Sequence, residues 1–137
     1  FISRHDKVSL LWYTEGSFTN EEVLLMSDCL FCKIAAGEIP SNKVYEDDQV
    51  FAFYDIDPQA PTHFLVIPKA HIGSCGEITA ENAGVVAHIF EVISKVTQEK
   101  GITDFRVVSN CGEQAGQSVH HLHFHVLAGR DMTWPPG

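Results

Sequence analysis

The chain has 137 residues, of which 45% are hydrophobic and 20% charged, as expected of one globular domain able to bury a core. Its formal net charge of −9 argues against a nucleic-acid polymer as the main partner, because phosphate backbones recruit lysine and arginine. A single mononucleotide is still compatible with this charge. No apolar run approaches the roughly 18 residues that a membrane span requires. No secretory signal is visible, so we expect a cytoplasmic protein.

The first predicted element is a short helix over residues 29–36. Asp28 is a suitable N-cap, and Gly37 lies just beyond the end of the helix. Residues 1–25 precede this helix and show no hydrophobic period and no proline or glycine pattern that marks an element.

A hairpin and a third strand follow the helix. Residues 43–46 and 50–55 are rich in β-branched and aromatic side chains, and residues 47–49 between them have turn chemistry. Residues 63–68 form the third predicted strand, which the proline at its end terminates.

A long helix is predicted over residues 79–100, where Thr79 is a suitable cap and Gly101 ends the helix. Its apolar stripe consists of Val85, Val86, Ile89, Phe90, Val92, Ile93 and Val96. Residues 105–109 give a fourth strand, and a polar glycine loop over residues 110–118 leads to the fifth. Strands in hairpin order with helices between them predict an antiparallel α+β domain.

The fifth predicted strand carries histidines in alternation with apolar residues. His121, His123 and His125 share one face, because successive side chains on a strand point to opposite faces. The other face is suited to a core and consists of Leu122, Phe124 and Val126. His120 lies out of register and is interpreted as structural. Neutral imidazole can act as a nucleophile, a proton carrier or a metal ligand near neutral pH.

The run His121-Leu-His-Phe-His-Val-Leu127 resembles the signature of the histidine triad (HIT) family. The closing Trp134-Pro-Pro-Gly137 resembles the end of its Hint branch, the nucleoside phosphoramidases. The resemblance covers residues 26–137 and implies a five-stranded antiparallel sheet with one long and one short helix. It also implies a natural start near Met26, so that residues 1–25 form an N-terminal extension outside the core fold.

The resemblance further implies a homodimer in which the two sheets join. A proline-stiffened tail would otherwise leave Trp134 facing solvent. We therefore expect the tail, residues 132–137, to lie near the partner's site, with Trp134 contributing to substrate binding.

Catalytic roles follow from the same resemblance. It implies that His123 becomes nucleotidylated, that His125 contacts the phosphate and that His63 lines the active site. From sequence alone, a histidine that opens a strand is more often a capped or core residue. The glycine loop could hold an anion through its backbone N–H groups, although most such loops are simply turns. The residues implied to contact the phosphate and the leaving group are Asn110, Gln117 and Ser118.

The nucleoside is expected near the end of the second strand. Asp55 can accept from two vicinal hydroxyls, which suits ribose, but a strand-end aspartate that bonds a turn is equally consistent with the sequence. The resemblance implies that Phe53, Asp55 and Ile56 hold the ribose and base. Leu30 and Phe31 would complete a purine slot, with plain core packing as the alternative.

Cys29 and Cys32 have the spacing of a zinc-binding pair, although the spacing alone is modest evidence and a redox pair is an alternative. Resemblance to bacterial HIT proteins implies a structural zinc whose other ligands are His71 and His121. In that case His121 could not also serve as a free proton relay. In the rival interpretation His121 stands beside the phosphate and the cysteines remain free thiols.

With these residues in place, the resemblance implies a hydrolase of purine nucleoside phosphoramidates that releases a nucleoside monophosphate, such as AMP or GMP, through a nucleotidyl-histidine on His123. Hydrolysis of dinucleoside polyphosphates is an alternative within the same class. A low-turnover nucleotide-binding zinc scaffold is the alternative from another class.

Overall fold

Two α-helices, two single-turn 3-10 helices and five strands are formed by the part of the chain that the computed structural model describes, residues 28–137. The extension predicted over residues 1–25 lies outside the described residues. In chain order the elements are α1 (Leu30–Ala35), β1 (Lys43–Glu46), β2 (Val50–Tyr54), β3 (Thr62–Pro68), α2 (Ala83–Glu99), β4 (Phe105–Val108) and β5 (Phe124–Ala128). Over this span no helix has both the length and the apolar character needed to cross a membrane.

The strands form one antiparallel sheet in the order β1-β2-β3-β5-β4. The last strand in sequence is therefore inserted between β3 and β4. In the β3–β5 register His63 lies opposite Leu127, and Leu65 lies opposite His125. The two histidines are consequently diagonal neighbours on one face of the sheet. The predicted antiparallel α+β architecture with one long and one short helix is confirmed.

The face of the sheet toward α2 is a continuous apolar core. Its strand members are Val50, Ala52, Phe64, Val66, Phe124 and Val126, and its helix members are Ile89, Val92, Ile93 and Val96. Burial of each large aliphatic or aromatic side chain contributes about 1.5–3 kcal/mol. The apolar face predicted for the histidine run belongs to this core, because Leu122 is buried in it as well.

The opposite face carries a smaller core and the histidines. Phe31 and Ile34 of α1 pack there against Phe51, Phe53, Leu65 and Ile67. Side chains alternate along β2 and β3, so these strands are buried on both faces and have nearly unbroken apolar sequences. The same alternation brings His63 and His125 to the α1 face, where the chemistry is concentrated.

The long helix begins later than predicted. Thr79 starts a turn, in which its carbonyl oxygen accepts from Asn82 N at 3.2 Å and from Ala83 N at 2.9 Å. The Asn82 side chain closes this turn, because its Oδ1 accepts from Thr79 N at 2.6 Å. Asn82 is therefore the residue that precedes the helix, and the prediction of Thr79 as the cap is wrong.

The first helix is capped differently as well. Its N-cap is Cys29, whose Sγ accepts a hydrogen bond from Cys32 N at 3.4 Å, and the prediction of Asp28 is wrong. The cysteine sulfur takes the acceptor role that a side-chain oxygen usually fills at this position. The capping interaction therefore also orients a cysteine of the functional site.

The fifth strand is shorter than the histidine pattern suggested, since it begins at Phe124. His121 and His123 precede it, and between them Leu122 N donates to the Ile72 carbonyl oxygen at 2.6 Å. This stretch therefore bonds to the chain that follows β3. The alternation of side chains persists, and both histidine rings face Phe31 of α1.

Candidate functional site

Two cysteines and two histidines form a cluster where α1, the end of β3 and the segment before β5 meet. The predicted ligands Cys29, Cys32, His71 and His121 place their ligand atoms within 4.8 Å of one another. Cys32 Sγ lies 3.2 Å from His71 Nδ1, and Cys29 Sγ lies 3.3 Å from His121 Nδ1. In a tetrahedral zinc site, sulfur and nitrogen ligands would be about 3.6 Å apart. The spacing therefore fits a metal ion.

The chemical state of the cluster fits a metal as well. His121 Nε2 donates to the Pro68 carbonyl oxygen at 2.8 Å, so the lone pair of the neutral ring lies on Nδ1, which faces the thiols. Hydrogen bonding from Cys32 lowers the pKa of the Cys29 thiol to about 2, and His121 and His71 act in the same direction, while burial opposes them. Thiolate and neutral imidazole are the forms that bind metals.

Both ring nitrogens of His121 are thus committed, one to the cluster and one to the backbone. The side chain is also fully buried. These contacts support neither a free proton relay at His121 nor its placement beside a phosphate. They also favour a metal site over a redox pair, because each thiol faces an imidazole nitrogen.

His123 lies next to this cluster with a defined protonation pattern. Its Nδ1 is 2.7 Å from the His121 carbonyl oxygen, which can only accept a hydrogen bond. Nδ1 therefore carries the ring proton, and the lone pair of the neutral ring lies on Nε2. Burial lowers the pKa of His123, against the opposing effects of the hydrogen bond to His121 and the charge of Asp55. A neutral ring with one defined lone pair is what a nucleophilic histidine requires.

His63 and His125 form a hydrogen-bonded pair beside His123. Nε2 of His63 lies 2.9 Å from Nδ1 of His125 and 3.4 Å from Asp55 Oδ2. The His125 ring centre is 5.0 Å from that of His123. Burial lowers the pKa of His125 to about 4, and the neighbouring His123 and His63 add to the effect, while Asp55 opposes it. His125 is therefore neutral at physiological pH.

Three residues that support these rings were missed by sequence reasoning. The Ser109 hydroxyl donates to the His123 carbonyl oxygen at 2.9 Å. Gln59 N donates to His63 Nδ1 at 3.0 Å, and Arg130 Nε donates to the Gln59 carbonyl oxygen at 3.0 Å. Each of these bonds involves a backbone group, so no pattern of side-chain types in the sequence announces it.

Gln117 has a role that its predicted contact with phosphate did not anticipate. Its side chain is buried, and its Oε1 accepts from Gly112 N at 2.9 Å. Its Nε2 donates to the carbonyl oxygens of Gly73 at 2.7 Å and Val119 at 3.0 Å. The side chain thus braces the glycine loop from inside, and its contact with a ligand stays a prediction.

The other two predicted phosphate contacts lie on the same loop. Asn110 Nδ2 is 3.6 Å from the position that a Cβ on Gly116 would take, and Gly116 has a φ of +96°. A side chain at Gly116 would therefore be strained by the backbone conformation, although it would only touch Asn110. Ser118 is exposed at the end of the loop, and Asn110 is half-buried. Both side chains are therefore accessible to a ligand.

The predicted nucleoside residues divide between core and surface. Asp55 Oδ1 accepts from Asp57 N at 2.8 Å, so one carboxylate oxygen does bond a turn, as the alternative interpretation held. Phe31 and Phe53 are buried edge to face, with ring centres 5.5 Å apart, and belong to the core. Phe31 also touches the site, because its ring lies 5.1 Å from that of His123.

Three predicted apolar contacts are exposed. Leu30 is 43% exposed, Ile56 is 99% exposed and Trp134 is 82% exposed. The roles of Leu30 and Ile56 at the nucleoside and of Trp134 in substrate binding remain predictions, since exposure alone does not bring these side chains to the histidines.

The fold and the histidine pattern define the class of this protein: the chain belongs to the histidine triad family. A family model described as "Scavenger mRNA decapping enzyme C-term binding" matches residues 28–134.

Similar proteins share both sequence and fold. An uncharacterised HIT-like protein of Synechococcus elongatus is 45% identical over 82% of this chain and 100% of its own length. A 14 kDa zinc-binding protein of Zea mays is 47% identical over 81% of this chain and 89% of its length. The crystal structure of a HIT family hydrolase from Legionella pneumophila has a TM-score of 0.78 and 47% identity, covering 80% of this chain and 100% of that one. A histidine triad protein from Clostridium difficile has a TM-score of 0.75 and 55% identity, with 77% and 94% covered.

Proposed function

We propose that this protein hydrolyses purine nucleoside phosphoramidates through a nucleotidyl-histidine on His123. The observation that carries the proposal is the 2.7 Å hydrogen bond from His123 Nδ1 to the His121 carbonyl oxygen. It leaves Nε2 as the one lone pair of a neutral, buried ring. The hydrolase named in the Legionella pneumophila structure, 47% identical to this chain, supports the same reaction class.

The reaction proceeds in two displacements at phosphorus. In the first, His123 Nε2 forms a bond to phosphorus while the bond from phosphorus to the amine nitrogen breaks, and the amine departs after taking up one proton. In the second, water attacks phosphorus and releases one proton, and the bond to Nε2 breaks. The products are a nucleoside monophosphate and a free amine, and His123 returns to its neutral form.

The charge that develops in the first step is balanced by groups around the ring. Attack through Nε2 makes the His123 ring cationic, and its Nδ1–H remains bonded to the His121 carbonyl oxygen. The ring of His125 is centred 5.0 Å from that of His123 and is assigned to the phosphate oxygens. The accessible side chains of Asn110 and Ser118 are assigned to the phosphate and the leaving group. Such preorganised contacts are commonly the largest source of rate enhancement.

The ribose is assigned to Asp55, whose carboxylate stands at the end of β2 beside His63. The base is assigned to the region of the exposed side chains Leu30 and Ile56, with the buried rings of Phe31 and Phe53 beneath the site residues as its apolar support. Asp55 Oδ2 can still accept from a ribose hydroxyl while Oδ1 bonds the turn.

We further propose a structural zinc at Cys29, Cys32, His71 and His121. The name of the Zea mays relative, 47% identical, supports the choice of metal. Zinc held by four protein ligands leaves no position for water, so the ion supplies stability and orientation only. It would fix the backbone of His121, whose carbonyl oxygen in turn bonds His123.

A second candidate substrate is a dinucleoside polyphosphate, because the matching family model is named for an mRNA decapping enzyme. Steady-state hydrolysis of an AMP–amine phosphoramidate and a dinucleoside polyphosphate should be measured side by side. The proposal predicts a higher kcat/KM for the phosphoramidate. Preference for the polyphosphate would establish the second candidate. Absence of turnover on both substrates would favour the alternative function, a nucleotide-binding scaffold.

A further inference from the structure

The His63–His125 pair is connected by hydrogen bonds to the loop before β3 and to the segment that follows β5, and neither has yet been given a catalytic role. Gln59 lies on the loop between β2 and β3, and Arg130 lies two residues beyond β5. Gln59 N donates to His63 Nδ1 at 3.0 Å, and the Gln59 carbonyl oxygen accepts from Arg130 Nε at 3.0 Å. Both polar backbone groups of Gln59, its N–H and its carbonyl oxygen, are thus hydrogen-bonded.

The backbone N–H of Gln59 fixes the direction of each hydrogen bond in this series. A backbone N–H can only donate, so His63 Nδ1 must be the acceptor and the proton of the neutral ring lies on Nε2. His63 Nε2–H then donates to His125 Nδ1, 2.9 Å away. The His125 proton is consequently on Nε2.

From this chain we infer that Gln59 and Arg130 are positioning residues that hold His125 as an Nε2–H donor toward the substrate phosphate. The inference rests on the proposed function for the identity of the substrate alone. His123 and His125 thereby take opposite tautomers. His123 presents a lone pair on Nε2, and His125 presents a proton on Nε2. One attacks phosphorus, and the other stabilises the negative oxygens that surround it.

A close approach of the backbone also positions the loop. Gly129 has a φ of +98°, and a Cβ at this position would lie 2.9 Å from Pro61 Cβ. The chain leaving β5 therefore passes directly against the loop, which sets Arg130 beside Gln59. The lowered pKa of His125, about 4, supports a neutral ring to which a single tautomer can be assigned.

The same series of hydrogen bonds argues against a metal ion at Asp55, His63 and His125. Their ligand atoms lie within 4.8 Å of one another, a spacing that could hold an ion. The bond from Gln59 places the proton of neutral His63 on Nε2, the nitrogen that faces this group. His63 therefore has no lone pair to offer there, and the cluster is a hydrogen-bond chain.

The tautomers can be measured without any substrate. Long-range proton–nitrogen correlation spectra of the full chain, labelled with nitrogen-15 histidine and assigned with His63→Gln and His125→Gln, report which nitrogen is protonated. At neutral pH we expect His125 to show an unprotonated Nδ1 and a protonated Nε2. A protonated Nδ1 would overturn the inference whatever the activity, and so would a metal ion bound at Asp55, His63 and His125.

Variants of the loop then test the cause. Gln59→Pro removes the backbone donor, and Gln59→Ala keeps it and serves as the control. We expect Gln59→Pro to give mixed His63 and His125 tautomers and a kcat about tenfold lower, less than the ~10²–10³ loss from deleting a positioned donor. Gln59→Ala should keep the wild-type spectrum. Unchanged spectra and kcat in Gln59→Pro would contradict the inference.

Arg130 provides a second test if Gln59→Pro does not fold. Arg130→Met removes the donor to the Gln59 carbonyl oxygen, while Arg130→Lys retains a group that can reach it. We expect a loss of kcat and mixed tautomers in the methionine variant, with partial rescue by lysine. A loss of activity with the wild-type His125 tautomer in both variants would show that Arg130 acts on stability alone.

Discussion

The backbone carbonyl oxygen of His121 accepts a 2.7 Å hydrogen bond from Nδ1 of His123. The ring of His121 meanwhile faces Cys29 and Cys32 through its own Nδ1. One residue therefore contributes its side chain to the Cys/His cluster and its backbone to the orientation of the neighbouring histidine. This relationship explains how a buried metal centre could support the reaction without touching the substrate.

The Cys/His cluster predicts one zinc ion per chain. Protein purified without added metal should contain it, and Cys32→Ser should lose it and unfold at lower temperature, because metal-binding free energy is part of folding free energy. Cys75→Ser is the matched control, since Cys75 is exposed and lies outside the cluster. Elemental analysis reports the metal directly. Well under one zinc per chain, with Cys29 and Cys32 both titrating as free thiols, would refute the site.

A second prediction concerns the pH dependence of stability. His88 of α2 lies between Glu91 on its own helix and Asp47 of the β1–β2 turn, at 3.0 Å and 2.6 Å. Hydrogen bonds to Glu91 and Asp47 raise the pKa of His88 above its usual value of 6.5, while burial opposes them. A raised pKa in the folded state means that the stabilisation is fully present below about 6.5 and is lost as pH rises through the folded value.

The variant His88→Gln tests the direction of this pH dependence. Urea unfolding of both proteins between about pH 5.5 and about pH 8.5 should show the largest difference in free energy at low pH, of about 1 kcal/mol or less because the site is partly exposed. High salt should reduce the difference. A difference that grows as pH rises would contradict the account.

Ser109→Ala should lower activity through the position of His123. The variant removes the 2.9 Å bond to the His123 carbonyl oxygen, which contributes about 1 kcal/mol to stability. We expect a several-fold lower kcat and a small loss of stability. Ser94→Ala is the control, because Ser94 makes its side-chain bond to Gln98 on the exposed side of α2. Equal kcat in the two variants would contradict a role for Ser109 in positioning His123.

The exposed tail predicts a homodimer. Trp134 is 82% exposed in the single chain, and Phe105 on the edge strand β4 is 39% exposed. Burial of such groups against a second copy would stabilise the pair. Light scattering at micromolar concentration should give twice the chain mass, and Trp134→Ala should weaken substrate binding if the tail reaches the partner's site. A monomer at that concentration would contradict this prediction.

The sequence predicted most of the fold, because strand alternation and helical stripes follow directly from burial. It missed the start of α2, where the Asn82 side chain closes a turn on Thr79. In the site, the spacing of Cys29 and Cys32 suggested a metal-binding pair, and the resemblance to bacterial HIT proteins supplied His71 and His121, which the structure brings to the same cluster. The supporting contacts from Gln59 and Ser109 could not be predicted in this way, because they depend on backbone atoms brought together by the tertiary fold.

The central claim is that His123 forms a covalent bond to phosphorus. Protein mixed with excess AMP–amine phosphoramidate, quenched within one turnover and mapped by mass spectrometry, tests it most directly. The account predicts a nucleotidyl group on His123 and a burst of released amine. His123→Ala should lose both, with turnover reduced by more than the ~10²–10⁴ that a positioned acid or base provides. Near-normal turnover by His123→Ala, or wild-type turnover without an adduct on His123, would contradict the claim.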